Sequence, residues 1–350
     1  MRDKTIRYLG LPLLLLFLIS FNSCSTNSTS APGPESQKLN DAFRQASSFP
    51  ELKSLIVARN GVIIKEQYFN GGGADLPSDV RSVTKSVTSL LIGIAIDKGL
   101  ITSTGQTISE YISPLVNNFS AGDSAITIND LLTMSGGFKW DELGNVNEYI
   151  NWFAAPNQVQ YLIDRPLVAQ PGQVFNYNSA AAHLLSVILT KATGMRTRDF
   201  AQKYLFEPLG TSVTSWETDK QGYTNGAAGM FITPHDMIKI GMLILNGGTY
   251  NGKRIVSQEW IEQSIARHIG TFNAQMFGPG YGYCWWAGQN NNLIYAFANG
   301  YGGQFIVVVP ELNLVVTATN NWSGLSDPAA NNDWAETLTL IMNSIVPAFN

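Results

Sequence analysis

Residues 82–98 read Ser-Val-Thr-Lys-Ser-Val-Thr-Ser-Leu-Leu-Ile-Gly-Ile-Ala-Ile-Asp-Lys. The spacing predicts a helix with Val83, Val87, Leu90, Leu91, Ile94 and Ala95 on one face, stopped at Gly99. Ser82 stands in its first turn, where unpaired backbone N–H groups and the helix dipole favour developing negative charge. Lys85, three residues on, shares the face of Ser82. A serine hydroxyl is a poor nucleophile until something takes its proton, and a desolvated lysine can do so. The same four residues also fit a capping serine beside a solvated lysine, and about one S-x-x-K is expected by chance in such a chain.

Strand signals flank this helix at both ends of the chain. The β-rich runs 54–58 and 62–68 meet at Asn60-Gly61, a pair suited to a turn with two positive φ angles. A second hairpin is expected from 304–309 and 314–319, and 281–287 reads as a third late strand. Between them lie helix signals at 128–134, 179–193, 197–205 and 234–246, the last capped by Thr233 and opened by Pro234. Residues 327–345 read as a closing helix. The expected fold is α+β: an antiparallel sheet built from both chain ends and flanked by helices, with a helical lobe inserted and a cleft between the lobes. The expected boundaries are a sheet lobe of about 37–100 and 245–350 and a helical lobe of about 101–244.

The 350 residues are 45% hydrophobic and 14% charged, with a net charge of −4 and no basic block, which argues against a nucleic-acid partner. His183, His235 and His268 are scattered without metal-ligand spacing and read as structural, so no metal or organic cofactor is implied. There is no G-x-S-x-G elbow, and residues 278–282 fail the dinucleotide-binding spacing. Arg2, Lys4 and Arg7 precede an apolar run at 9–21, then Phe21-Asn22-Ser23-Cys24 and a Ser/Thr/Asn/Pro/Gly-rich stretch. This looks like a bacterial lipoprotein signal over residues 1–23. It predicts lipid on Cys24, a tether over 24–36, and export to the periplasm or outer membrane, with contact to the membrane through the lipid anchor alone; the alternative is plain secretion. Cys284, the one cysteine left in the body of the chain, reads as a buried small apolar residue.

Three motifs in order make the chain resemble the serine β-lactamase and penicillin-binding-protein superfamily, in its class C-like esterase and 6-aminohexanoate-dimer hydrolase branch. They are Ser82-Val83-Thr84-Lys85, the run from Pro171 to Ser179 containing Tyr177-Asn178-Ser179, and Gly300-Tyr301-Gly302-Gly303-Gln304. The segment 128–137 is also similar, and the likeness spans about residues 52–346. The resemblance implies a Ser82 acyl-enzyme, Lys85 and Tyr177 sharing the proton transfers, and an oxyanion hole of the Ser82 and Gln304 N–H groups. Its substrate would be a small ester or amide.

Two departures matter. Tyr301 stands where penicillin-recognising members carry a cation, and Gly302 replaces a hydroxyl, which points to neutral or short-chain substrates rather than penicillins. Ser179 would have to supply the hydrogen bonds of the motif's usual asparagine. Substrate contacts are expected from Ser179, Tyr301, Gly302, Gly303, Tyr149 and Trp152. Trp140, Trp285 and Trp286 are further candidates to line the cleft. The alternatives are a cell-wall D-Ala carboxypeptidase, endopeptidase or weak β-lactamase, and a non-catalytic sensor that keeps the fold.

Overall fold

The computed structural model describes residues 34–271, 278–290 and 293–350. The expected signal segment and Cys24 lie outside them. The chain opens with helix α1 (Pro34–Ala46), then strands β1 (Leu52–Arg59) and β2 (Val62–Tyr68), the two-residue β3 (Ser78–Asp79) and helix α2 (Val83–Asp97). Short helices follow: α3 (Ser109–Ile112), α4 (Ile128–Leu132), α5 (Val146–Ala154) and α6 (Gln158–Ile163). The long α7 (Ser179–Thr193) and the short α8 (Thr197–Ala201) come next, then β4 (Ser215–Trp216), β5 (Met230–Ile232) and α9 (Pro234–Leu245). After the small ribbon β6 (Thr249–Tyr250) and β7 (Lys253–Arg254) comes α10 (Gln258–Ile265). The closing part holds β8 (Ile269–Gly270), β9 (Gly280–Tyr281), β10 (Trp286–Asn290), β11 (Leu293–Gly300), β12 (Gln304–Val309), β13 (Leu314–Asn320) and α11 (Asp327–Leu340).

Eight strands form one antiparallel sheet in the order β2-β1-β13-β12-β11-β10-β9-β8, so the two ends of the chain meet where β1 pairs with β13. The first turn is the expected one, with Asn60 and Gly61 at φ 52° and 76°. Every residue of β12 and β13 is buried, because helices cover both faces of the sheet. Phe305 packs against Trp334 of α11, and the neighbouring Ile306 faces α9 across the other surface. β2 closes one edge and carries Lys65, Glu66 and Gln67, which discourage pairing with another chain.

Three expectations are corrected. α1 starts at Pro34, so the folded part takes three residues from the expected tether. The late strand at 281–287 is a hairpin: Gly282 N–H donates to Trp285 O (2.8 Å), Cys284 turns through φ 58°, and Trp286 pairs back onto Tyr281. α9 belongs to the sheet lobe rather than the helical one. It lies on β12 and β13, with Gly241 so close that a Cβ there would meet Val315 at 2.3 Å.

Candidate active site

The chain approaches α2 through β3, which is tied to β5, and Val80 N–H donates to Met230 O (3.0 Å). Arg81 then takes φ 50°, a conformation that side chains with a Cβ seldom adopt, and turns the backbone into the helix at Ser82. Ser82 precedes α2 in helical geometry, and its hydroxyl makes no capping bond. Lys85 is 1% exposed, and its Nζ donates to Ser82 Oγ (2.8 Å) and to Ala227 O (3.0 Å). A capping serine beside a solvated lysine is therefore ruled out on both counts. Burial draws the Lys85 amine down from 10.5 to about 8, with Arg81 adding to the effect and Glu142 opposing it.

Tyr177 comes from the segment leading into α7. That segment is pinned to the 134–140 stretch by Asn176, whose N–H reaches Met134 O (2.7 Å) and whose side chain reaches Phe138 O and Trp140 O. The Tyr177 ring stacks on Trp286 (5.8 Å, 22°), and Lys85 Nζ lies 4.9 Å from its centre. Its hydroxyl is hydrogen-bonded to Ser82, and burial, with the Glu142 charge, pushes its pKa far above 10.

The loop carrying Ala227 is fixed from below. His183, wholly buried in α7, accepts from Gly226 N–H at Nδ1 (3.3 Å), so its Nε2 carries the hydrogen donated to Asp219 Oδ2 (3.1 Å). The expectation of a structural histidine holds here, and its bonds set the carbonyl that receives the lysine.

The opposite wall is the β11–β12 connection. Tyr301 donates to Asp327 Oδ1 (2.6 Å), while Gly302 and Gly303 turn at φ 72° and 93°. A Cβ on Gly303 would meet Asn320 Nδ2 at 2.6 Å, and that same amide donates to Gly303 O (2.6 Å). The Gln304 side chain exchanges two hydrogen bonds with the Asn320 backbone (2.9 and 3.2 Å), which leaves only its main chain available to a substrate. Gln304 pairs with Gly300, which packs on Val80 O two residues before Ser82.

These groups surround a cleft of about 550 Å³. Ser82, Tyr149, Tyr177, Ser179, Tyr301, Gly302 and Trp286 line it, with Lys85 buried beneath and Gly303 and Gln304 behind. A smaller cavity of about 70 Å³ between Leu293, Tyr295, Met342 and Val346 contains none of this chemistry. Trp152 does not reach the cleft. It is fully buried, edge-on to Trp140 and His183, with Nε1 donating to Gln158 O (3.2 Å), and is a core residue. Trp140 and Trp285 are buried likewise and do not line the cleft.

Ser179 lies in the cleft wall, but its bonds run elsewhere than expected. Its N–H and its hydroxyl go to the two oxygens of Glu142 (2.7 Å each), and neither goes to Lys85. Glu142 also accepts from Trp140 Nε1 (2.7 Å). Glu142 and Arg81 were not singled out by the sequence reading, although both line the cleft. The only sequence signals for them were an acidic residue after a tryptophan and a cation directly before the nucleophile. The cleft therefore contains a positive charge, which the Tyr301 position had not predicted. Its outer rim on the helical lobe is apolar, with Leu143, Val146 and Ile150 at 42–50% exposure.

A family model described as Beta-lactamase matches residues 41–340. The chain belongs to the beta-lactamase family. This member is similar to the 6-aminohexanoate-dimer hydrolase of Paenarthrobacter ureafaciens, 25% identical over 289 residues, covering 77% of this chain and 72% of that one. Among solved structures it resembles the octameric penicillin-binding protein homologue from Pyrococcus abyssi (TM-score 0.66, 20% identity, 88% and 76% coverage). It also resembles a D-stereospecific amidohydrolase from a Streptomyces species (TM-score 0.65, 14% identity, 90% and 98% coverage). It is a serine hydrolase of the beta-lactamase family, and the α+β fold read from the sequence is the fold found.

Proposed function

We propose that this protein cleaves a small ester or amide through an acyl-enzyme on Ser82, with Lys85 as the base and Tyr177 as the proton relay. The carrying observation is the 2.8 Å contact from Lys85 Nζ to an uncapped Ser82 hydroxyl. An amine at about 8 has a substantial neutral fraction near pH 8, whereas Tyr177 stays protonated throughout that range. Neutral Lys85 takes the hydroxyl proton as Ser82 Oγ bonds to the carbonyl carbon. The tetrahedral oxyanion is held by the Ser82 and Gln304 N–H groups. Among the described residues the Ser82 N–H has no acceptor, so it is free for that use.

Collapse breaks the bond to the leaving oxygen or nitrogen, which takes the Tyr177 proton, and the Lys85 ammonium returns to Tyr177 the proton it took from Ser82. Water then attacks the acyl carbon, passing its proton to Lys85, and Ser82 leaves with a proton restored to Oγ. A fluorophosphonate should label the wild type and not Ser82→Ala, and p-nitrophenyl butyrate should be hydrolysed with the same dependence. Absence of both signals sinks the proposal, and intact labelling of Ser82→Ala would place the nucleophile elsewhere.

The amide-cleaving relative supports amides as well as esters, and its name makes linear amides of amino-carboxylic acids the first substrates to try. We also propose export with lipid on Cys24, supported by the basic start, apolar run and small-residue linker. Radiolabelled palmitate incorporation lost in Cys24→Ser tests it.

A further inference from the structure

The hydrolytic reading leaves one strongly charged group in the cleft unused. Arg81 lies between the nucleophile and the wall formed by Trp322, and its side chain is 20% exposed. Its guanidinium stacks on the Trp322 ring, 4.3 Å from the centre, and Nη1 meets Asp79 Oδ2 at 3.3 Å. Each of these partners is itself held. Asp79 Oδ1 accepts from the Arg81 backbone N–H (2.9 Å), and Trp322 Nε1 donates to Asp79 O (3.3 Å). The side chain is thus set in one orientation while only part of its donor capacity is used. Its Nε is buried without an acceptor among the described residues and is closed to a ligand, so the donors left for one are those of the terminal nitrogens on the 20% of the side chain that is exposed. A planar fork with unused donors is matched in shape and charge to a carboxylate.

The other charges around the cleft do not cancel that role. Among the described residues Asp79 is the one carboxylate in direct contact with the guanidinium, and Glu217 acts on it through space, while burial keeps Tyr149 an uncharged phenol. The two acidic residues of the lining hold donors of the protein itself: Glu142 holds Ser179 and Trp140, and Asp327 holds Tyr301. Among the described residues Arg81 is the only cationic one in that lining.

We propose that Arg81 binds a carboxylate carried by the substrate, so that the preferred esters or amides bear an acid group on one arm. This rests on the hydrolase reading. It replaces the expectation of neutral substrates: the cation missing at Tyr301 is supplied from the residue before the nucleophile, whose guanidinium and the Tyr301 ring both meet the Trp322 ring. The left-handed turn at Arg81 is what sends its side chain toward Trp322 while Ser82 enters the helix.

The test uses three esters: phenyl butyrate, the monophenyl ester of glutaric acid, and 3-carboxyphenyl butyrate. They carry no acid, an acid on the acyl arm, and an acid on the leaving arm. Between wild type and Arg81→Gln, the ratio of kcat/KM for one acid ester over the neutral ester should fall about 10- to 100-fold. The fall should lie mainly in KM, with partial recovery in Arg81→Lys. Loss of packing at the turn affects all three esters and cancels in the ratio. Ratios unchanged within twofold for both acid esters overturn the proposal and leave Arg81 as a brace for the turn.

A second arm does not need turnover. Calorimetric binding of monophenyl glutarate and 3-carboxyphenyl butyrate to Ser82→Ala should weaken for at least one by a similar factor when Arg81→Gln is added, and equal affinities for both overturn the proposal. If the wild type hydrolyses none of the esters and takes no fluorophosphonate label, the hydrolase reading falls, and the binding arm still decides on Arg81.

Discussion

Replacing Lys85 with methionine should abolish turnover and raise the stability of the protein. Burial depresses the amine from 10.5 to about 8, so at pH 7 the native state holds a cation that its surroundings disfavour. That distance corresponds to roughly 3 kcal/mol. Methionine fills a similar volume without charge. It gives up the bonds to Ser82 Oγ, which can turn to water in the cleft, and to Ala227 O, which is left buried at a cost of about 1–2 kcal/mol. A net gain of about 1–2 kcal/mol remains, or about 2–3 °C in Tm for a chain of this length. The sign with pH follows from the depressed native pKa. Below pH 8 both folded and unfolded states carry the proton and the penalty is complete; between 8 and 10.5 the unfolded chain binds more protons, so wild-type stability rises. Thermal unfolding of both proteins at pH 7 and pH 10 measures this. The variant should melt higher at pH 7, and the gap should narrow by pH 10. A variant that melts lower at pH 7, or a gap indifferent to pH, refutes the account of Lys85 as a destabilising buried cation.

With Lys85 as the base, kcat/KM for p-nitrophenyl butyrate should rise with pH and level off above about 8. Glu142→Gln should move that inflection to lower pH, because the Glu142 carboxylate favours the ammonium form; an inflection displaced upward contradicts the assignment. Gly303→Ala should lower kcat at least tenfold, since a Cβ 2.6 Å from Asn320 Nδ2 displaces the start of β12; near-native kcat in steady-state assays would separate that strand from catalysis. His183→Ala should cost about 3 kcal/mol in urea unfolding, because Asp219 and Gly226 N–H lose a fully buried partner. A cost below 1 kcal/mol would mean that the Ala227 loop is held by other contacts.

What could be read in the sequence was governed by local rules. Asn60-Gly61, the apolar face of α2 and the Thr233–Pro234 cap are each decided within a few residues, and each is where it was expected. α5 and α6 were not recognised, although Asn145 and Asn157 cap them with side-chain bonds, because both are short and mix aromatic with polar residues. The same mixture made Trp152 a candidate substrate contact, whereas three-dimensional packing puts it in the core beside His183. Ser82 and Lys85 were legible because one helical turn joins them. Their partners Ala227, Glu142 and Arg81 depend on non-local folding or on an unusual φ, neither of which has a signature in the chain.

The burial of α2 has a consequence for how the cleft can change. Every residue from Val83 to Ala95 is buried, and the helix touches α7 and α10 as well as β11 and β12. The nucleophile is therefore carried on a beam clamped by both lobes, and the floor of the cleft cannot tilt without unpacking the molecule. The rim at Leu143, Val146 and Ile150 has no such constraint, since those side chains face water. Selection can remodel the entrance one side chain at a time while the proton path underneath keeps its geometry. Descendants of this chain should differ first in what they admit and last in how they cut it.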